Sequence, residues 1–192
     1  RRAPEHAFTA AVEDALAAYA ALLARGYPAR RIALAGDSAG GGLAAALLVR
    51  LARAELPHPA CACLFSPWAD MTATAPSLER NARRDPMLPV SRMAEVIGHY
   101  LQGADPSDPL ASPARARFDS PPPALILAGR HEILADDATM LADSLRVGGG
   151  DVELELWARV PHAWPIFLGL IAEADRTVAH AGAFIGRHLG TR

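Results

Sequence analysis

The chain has 192 residues, 51% of them hydrophobic, which suits one globular domain with room for a subdomain. Its 19 basic and 21 acidic residues leave a net charge of −2 with no basic stripe, so nucleic acid is not expected as a partner. No apolar run reaches the ~18 residues of a membrane span. The opening "RRAPEHAF" also lacks a signal-peptide core, so a cytoplasmic protein with no membrane partner is expected.

A first helix is expected over residues 9–28, where Val12, Leu16, Tyr19 and Leu23 recur at helical steps and Gly26 and Pro28 end it. Residues 31–36 read as a short apolar strand of the kind buried on both faces of a parallel sheet. Residues 39–54 form a second helix with Leu43, Leu47 and Leu51 on one stripe, and "ACACLF" (60–65) is a second strand. Cys61 and Cys63 alternate on that strand and read as buried reduced thiols; neither a disulfide scaffold nor a zinc site follows from them. Residues 66–123 are punctuated by prolines, with one helix at 91–101, and read as a lid-like excursion. A third buried strand (124–129), a helix (133–147) stopped by three glycines, a half-buried edge strand (151–157) and a last helix over about 165–189 complete the chain. On that last helix Ile166, Leu170, Ile171, Ala174, Val178, Ala181 and Ile185 are expected to face inward. Strands alternating with helices predict a parallel sheet flanked by helices, with ligands bound beyond the carboxyl ends of the strands.

Three polar residues fall just past three of those strand ends: Ser38, Glu132 and His162. Ser38 lies in Gly36-Asp37-Ser38-Ala39-Gly40, a Gly-x-Ser-x-Gly at a strand-to-helix corner, where a tight bend projects the hydroxyl. The following helix aims free N–H groups at the same spot, so the Ala39 N–H is a candidate oxyanion donor. A serine needs a base, and His162 sits in a loop stiffened by Pro161 and Pro165. The segment "GRHEILADD" offers Glu132, Asp136 and Asp137 as orienting acid. Glu132 is the first carboxylate after the strand, and Asp136 and Asp137 suit the positive end of a helix. The order serine, acid, histidine is that of α/β-hydrolases.

The stretches "GDSAGGGLA", "SPWADMT", "RRDPML", "GRHEILADDA" and "VPHAWPIF", with the opening "RRAPEHAF", together resemble bacterial hormone-sensitive-lipase-like esterases, near the branch of monoterpene lactone hydrolases. The resemblance runs from Arg1 to about Leu189. It implies an α/β-hydrolase fold, a serine carboxylic-ester hydrolase or lactonase acting through an acyl-enzyme, and a triad of Ser38, Glu132 and His162. Most of the wider family carries aspartate where this chain has Glu132, one methylene longer. The resemblance also implies that residues 66–115 lie over the acyl pocket. Trp68 and Met71, with Trp164 near the expected mouth, are then candidate substrate contacts for a small, largely apolar ester or lactone, and no cofactor or metal is required.

The family's His-Gly-Gly-Gly oxyanion loop lies upstream of the Pro-Glu-His segment and outside these residues; Gly148, Gly149 and Gly150 read as a helix stop. The expectation is therefore one α/β-hydrolase domain over 1–192 that lacks the early strands. A non-catalytic, hydrolase-like binding module is the alternative. The open sheet edge beside residues 31–36 is expected to favour homo-oligomers.

Overall fold

The computed structural model describes residues 1–190. Four strands, β1 (Ala33–Asp37), β2 (Cys61–Phe65), β3 (Ala124–Gly129) and β4 (Val152–Trp157), form one sheet in the order β1-β2-β3-β4. Every pairing is parallel. The two central strands carry no charged side chain to face water, whereas Glu153 and Glu155 alternate with apolar residues along β4. β2 and β3 are accordingly buried almost throughout, while β1 and β4 lie at the two ends of the sheet.

Alternation along β2 and β3 divides the core in two. Ala62, Leu64, Ala124, Ile126 and Ala128 point to one face, where they meet Ala44, Ala45 and Leu48 of α2 (Ala39–Arg53) and Ala138, Leu141 and Leu145 of α5 (Ala135–Val147). Cys61, Cys63, Leu125 and Leu127 point to the other, against Ala174, Ala181 and Phe184 of α6 (Ala172–Leu189). Both cysteines are free thiols, and burial pushes Cys63 up to about 12. The first helix, α1 (Ala10–Ala24), packs outside α2 through Tyr19 against Leu47 and Leu51. No helix among the described residues is long and apolar enough to cross a membrane.

The last helix is shorter than its sequence period suggests. A 3₁₀ turn over Trp164–Phe167 comes first, and Gly169 then adopts φ +77° while its N–H donates to Asp175 Oδ1 at 2.7 Å. This bend separates residues 165–171 from α6. Ile166 and Leu170, expected on the inner face, are 61% and 79% exposed instead.

Between β2 and β3 the chain makes a long excursion with two helices, α3 (Ser77–Arg80) and α4 (Met93–Leu101); the four-residue α3 is too short to leave a sequence period. The excursion leaves β2 at very close range to α2. A Cβ on Gly42 would lie 2.0 Å from the Trp68 carbonyl oxygen, and one on Gly36 would lie 2.3 Å from the Gly40 carbonyl oxygen. Glycine at these two positions therefore sets how closely β1, α2 and the Trp68 strand exit approach one another.

Gly42→Ala is expected to lower the melting temperature by roughly 3–10 °C, since backbone must move to admit one methyl group. Gly182→Ala in α6 has open space around its Cβ and is expected to raise it by about 1–3 °C. Thermal unfolding followed by circular dichroism measures both, and an unchanged Gly42→Ala midpoint contradicts the close-packing account.

Candidate active site

The sheet register builds the site. Asp37 pairs with Phe65, Phe65 with Leu127, and Gly129 with Trp157, so all four strands end at nearly the same level. The residues that follow, Ser38, Ser66, Glu132 and His162, consequently gather at one edge.

Ser38 occupies the bend between β1 and α2 with φ 53° and ψ −122°, a conformation L-residues rarely adopt. Strain of this kind costs ~1–3 kcal/mol and persists where the surroundings over-determine it. They do so here: the Ser38 N–H donates to the Phe65 carbonyl at 2.9 Å, and the Ser38 carbonyl accepts from Trp68 at 2.9 Å and from Gly41 at 3.0 Å. The hydroxyl is thereby carried clear of the sheet. Ala39 begins α2, where N–H groups lack intrahelical acceptors, and lines the adjoining cavity. Gly40 needs its hydrogen for no local contact, since a Cβ there meets nothing within 4 Å.

Ser38 Oγ lies 2.8 Å from His162 Nε2, and His162 Nδ1 lies 2.7 Å from Glu132 Oε2. A carboxylate can only accept, so Nδ1 carries the proton and Nε2 is left to accept the Ser38 hydroxyl proton. Glu132 is 1% exposed, and such a charge must be hydrogen-bonded on both oxygens. Its Oε1 accepts the Gly129 N–H and the Ser66 hydroxyl, the latter at 2.7 Å. Ser66 is the functional neighbour that sequence reasoning missed, although it directly follows β2, as the other three residues follow their strands.

The loop carrying Glu132 is held by the start of the excursion. Asn81 Nδ2 donates to the carbonyls of Arg130 and Glu132 at 3.1 and 2.7 Å, and Asp85 Oδ2 accepts the Ile133 N–H at 2.9 Å. Asp136 and Asp137 lie in the first turn of α5, and both reach out of it. Asp136 takes the Ser77 N–H and the Arg80 guanidinium. Asp137 is buried, and its Oδ2 accepts the N–H groups of Ala69 and Asp70 at 3.0 and 2.9 Å. Burial pushes the Asp137 carboxyl up to about 7 despite those two bonds. Next to it, burial opposes ionisation of Asp70 too, but the two-pronged Arg115 contact and Thr72 hold that carboxyl below its usual range.

A cavity of about 410 Å³ opens beside Ala39 and Gly40, with Leu43, Trp68, Met71, Val96, Tyr100 and Leu110 in its wall. Trp68 and Met71 both line this cavity. Trp164 does not. It is 0% exposed, its indole N–H donates to Thr177 Oγ1 at 2.8 Å, and it packs against Trp157 between the sheet and α6. The left-handed Ala163 (φ 50°) turns the ring inward, which corrects its assignment as a substrate contact. Among the described residues, no group of three or more His, Cys, Asp or Glu is placed to hold a metal ion.

Fold and site define a parallel α/β protein with a hydrogen-bonded serine–histidine–glutamate row at the carboxyl edge of its sheet. A family described as the alpha/beta hydrolase fold matches residues 1–166. An acetyl-hydrolase of Streptomyces hygroscopicus is 43% identical over 185 residues, which cover 96% of this chain and 62% of that protein. An esterase from the bacterial hormone-sensitive lipase family has a crystal structure that superposes with a TM-score of 0.96 at 43% identity, covering 98% of this chain and 64% of that one. The crystal structure of EstE5 soaked with p-nitrophenyl butyrate superposes with a TM-score of 0.96 at 40% identity, covering 99% and 64%. The chain belongs to the alpha/beta hydrolase family and is of the bacterial hormone-sensitive-lipase-like kind. It spans a little under two thirds of the length of these relatives.

The buried Asp137 makes stability depend on pH. Between the ordinary 3.8 of a free aspartate and about 7, the folded chain holds a proton here that the unfolded chain has released. This group's contribution therefore falls as pH rises through that window, by on the order of 1 kcal/mol per pH unit. Asp137→Asn keeps an acceptor for Ala69 and Asp70 but cannot ionise. Urea unfolding across the window is expected to show a shallower decline in the variant; an unchanged slope contradicts the assignment.

Proposed function

We propose that the protein is a serine carboxylic-ester hydrolase. The single observation that carries this reading is the unbroken row Ser38 Oγ, His162 Nε2 and Nδ1, and Glu132 Oε2, with links of 2.8 and 2.7 Å. In this reading His162 removes the Ser38 proton as Oγ attacks the ester carbonyl. The tetrahedral adduct collapses to an acyl-enzyme, and the alcohol leaves with the proton from His162. Water then attacks the acyl group with His162 again as base, which restores Ser38 and releases the acid. Glu132 keeps Nδ1–H oriented and stabilises the imidazolium. The Ala39 N–H at the positive end of α2 serves as one oxyanion donor.

The cavity beside Ala39 supports small, apolar acyl groups as substrates, because its walls offer mainly aliphatic and aromatic surface. The part of the excursion that includes Val96, Tyr100 and Leu110 acts as the cover of this acyl site. Lactones fit the same two-step chemistry as internal esters, the leaving alcohol staying tethered to the acyl group. The names of the relatives, acetyl-hydrolase and esterase, agree with this class.

Hydrolysis of a p-nitrophenyl ester series tests the proposal. Turnover is expected to be highest for short acyl chains, and both Ser38→Ala and His162→Gln are expected to lower kcat by about 10⁴-fold or more. Glu132→Gln is expected to lower kcat by roughly 10²–10⁴-fold with little change in KM. Turnover that survives Ser38→Ala contradicts the assignment. A wild-type protein inert towards every ester favours a non-catalytic binding module.

A further inference from the structure

We propose that Ser66 is a positioning residue that ties the acid and the base of the active site together. The inference rests on reading the Ser38–His162–Glu132 row as the hydrolytic centre. Ser66 is buried, with φ 44° in the left-handed region, at the exit of β2. Glycine would relieve that backbone strain, so what serine adds at this position is its hydroxyl. Both capacities of the hydroxyl are used. Oγ–H donates to Glu132 Oε1 at 2.7 Å, and Oγ accepts the Ala163 N–H at 3.1 Å.

These bonds reach two separate loops. Glu132 lies on the turn after β3, and Ala163 directly follows His162 in the loop after β4. The Gly129 N–H, the other donor to Oε1, comes from three residues away and belongs to the same turn as Glu132. Ser66 is therefore the donor that fixes the carboxylate relative to the histidine's own backbone. With Oε1 occupied from two sides, Oε2 is the oxygen presented to His162.

The charged neighbours leave this arrangement to the hydroxyl. Asp37, Arg130 and His131 are exposed, and Asp85 engages the N–H groups of Met87, Leu88 and Ile133. Loss of the Ser66 hydroxyl removes one donor from a buried carboxylate and orphans the Ala163 N–H. The Glu132–His162 pair then binds a proton more tightly, because its deprotonated form, which carries the net negative charge, is the one stabilised by the donor. The imidazole stays protonated to higher pH and is withheld as a base.

Ser66→Gly and Ser66→Ala test this, and Ser66→Gly accommodates the positive φ if Ser66→Ala folds poorly. The first measurement is the titration of the His162 imidazole by NMR in the resting protein. The midpoint is expected to rise by about one pH unit in both variants. The second is p-nitrophenyl butyrate hydrolysis against pH. Its acid limb is expected to move up by the same amount, with kcat at neutral pH down roughly 10- to 100-fold and KM little changed. A His162 titration in Ser66→Gly that matches wild type overturns the proposal, whatever happens to thermal stability. A wild-type protein that hydrolyses no ester defeats the hydrolase reading instead, while the resting titration still decides the role of Ser66.

Discussion

One buried carboxylate organises the carboxyl edge of the sheet. Glu132 is almost wholly removed from water, and an ion in such a place is tolerated only when its lone pairs are occupied. Its partners come from the exit of β2, the turn after β3 and the loop after β4. Satisfying the charge thus brings three chain segments, far apart in sequence, into one arrangement. The serine bend is linked to this cluster through His162 and does not touch Glu132 itself. Position and chemistry share a cause: the contacts that make the carboxylate bearable also hold the imidazole in the tautomer that can accept a serine proton.

The excursion between β2 and β3 divides by chemistry. Its first part is polar and internally committed. Asp70, Ser77, Asn81 and Asp85 each bond to Arg115, to the Glu132 loop or to α5, and Asp137 answers from α5. These groups make the segment part of the frame that carries the acid. Its later part, around Val96, Tyr100 and Leu110, presents apolar side chains to the cavity and has fewer such ties to the sheet.

The sheet was legible because buried parallel strands leave short apolar runs with few rivals, and because the strand-end rule points to a single edge. Ser38, Glu132 and His162 come to attention for that reason, each lying within a few residues of a strand end. Ser66 follows β2 in the same way and was passed over, since a serine before a proline reads as an ordinary loop residue. Its meaning lies in a contact 66 positions along the chain. Asp137 does lie in the first turn of α5 as its sequence position suggests, but nothing local reveals that the backbone of Ala69 and Asp70 lies against it. Trp164 and residues 165–171 went astray for a geometric reason. A left-handed Ala163 and a positive-φ Gly169 redirect the chain, and helical periodicity is blind to such bends.

The most direct measurement is covalent. A fluorophosphonate reports whether one serine hydroxyl is activated, independently of which ester the protein prefers. After reaction with the intact protein, peptide mass spectrometry is predicted to find a single phosphonyl adduct on Ser38, absent when His162 is replaced. A protein left unmodified, or one modified at another serine while Ser38 stays free, would contradict the account.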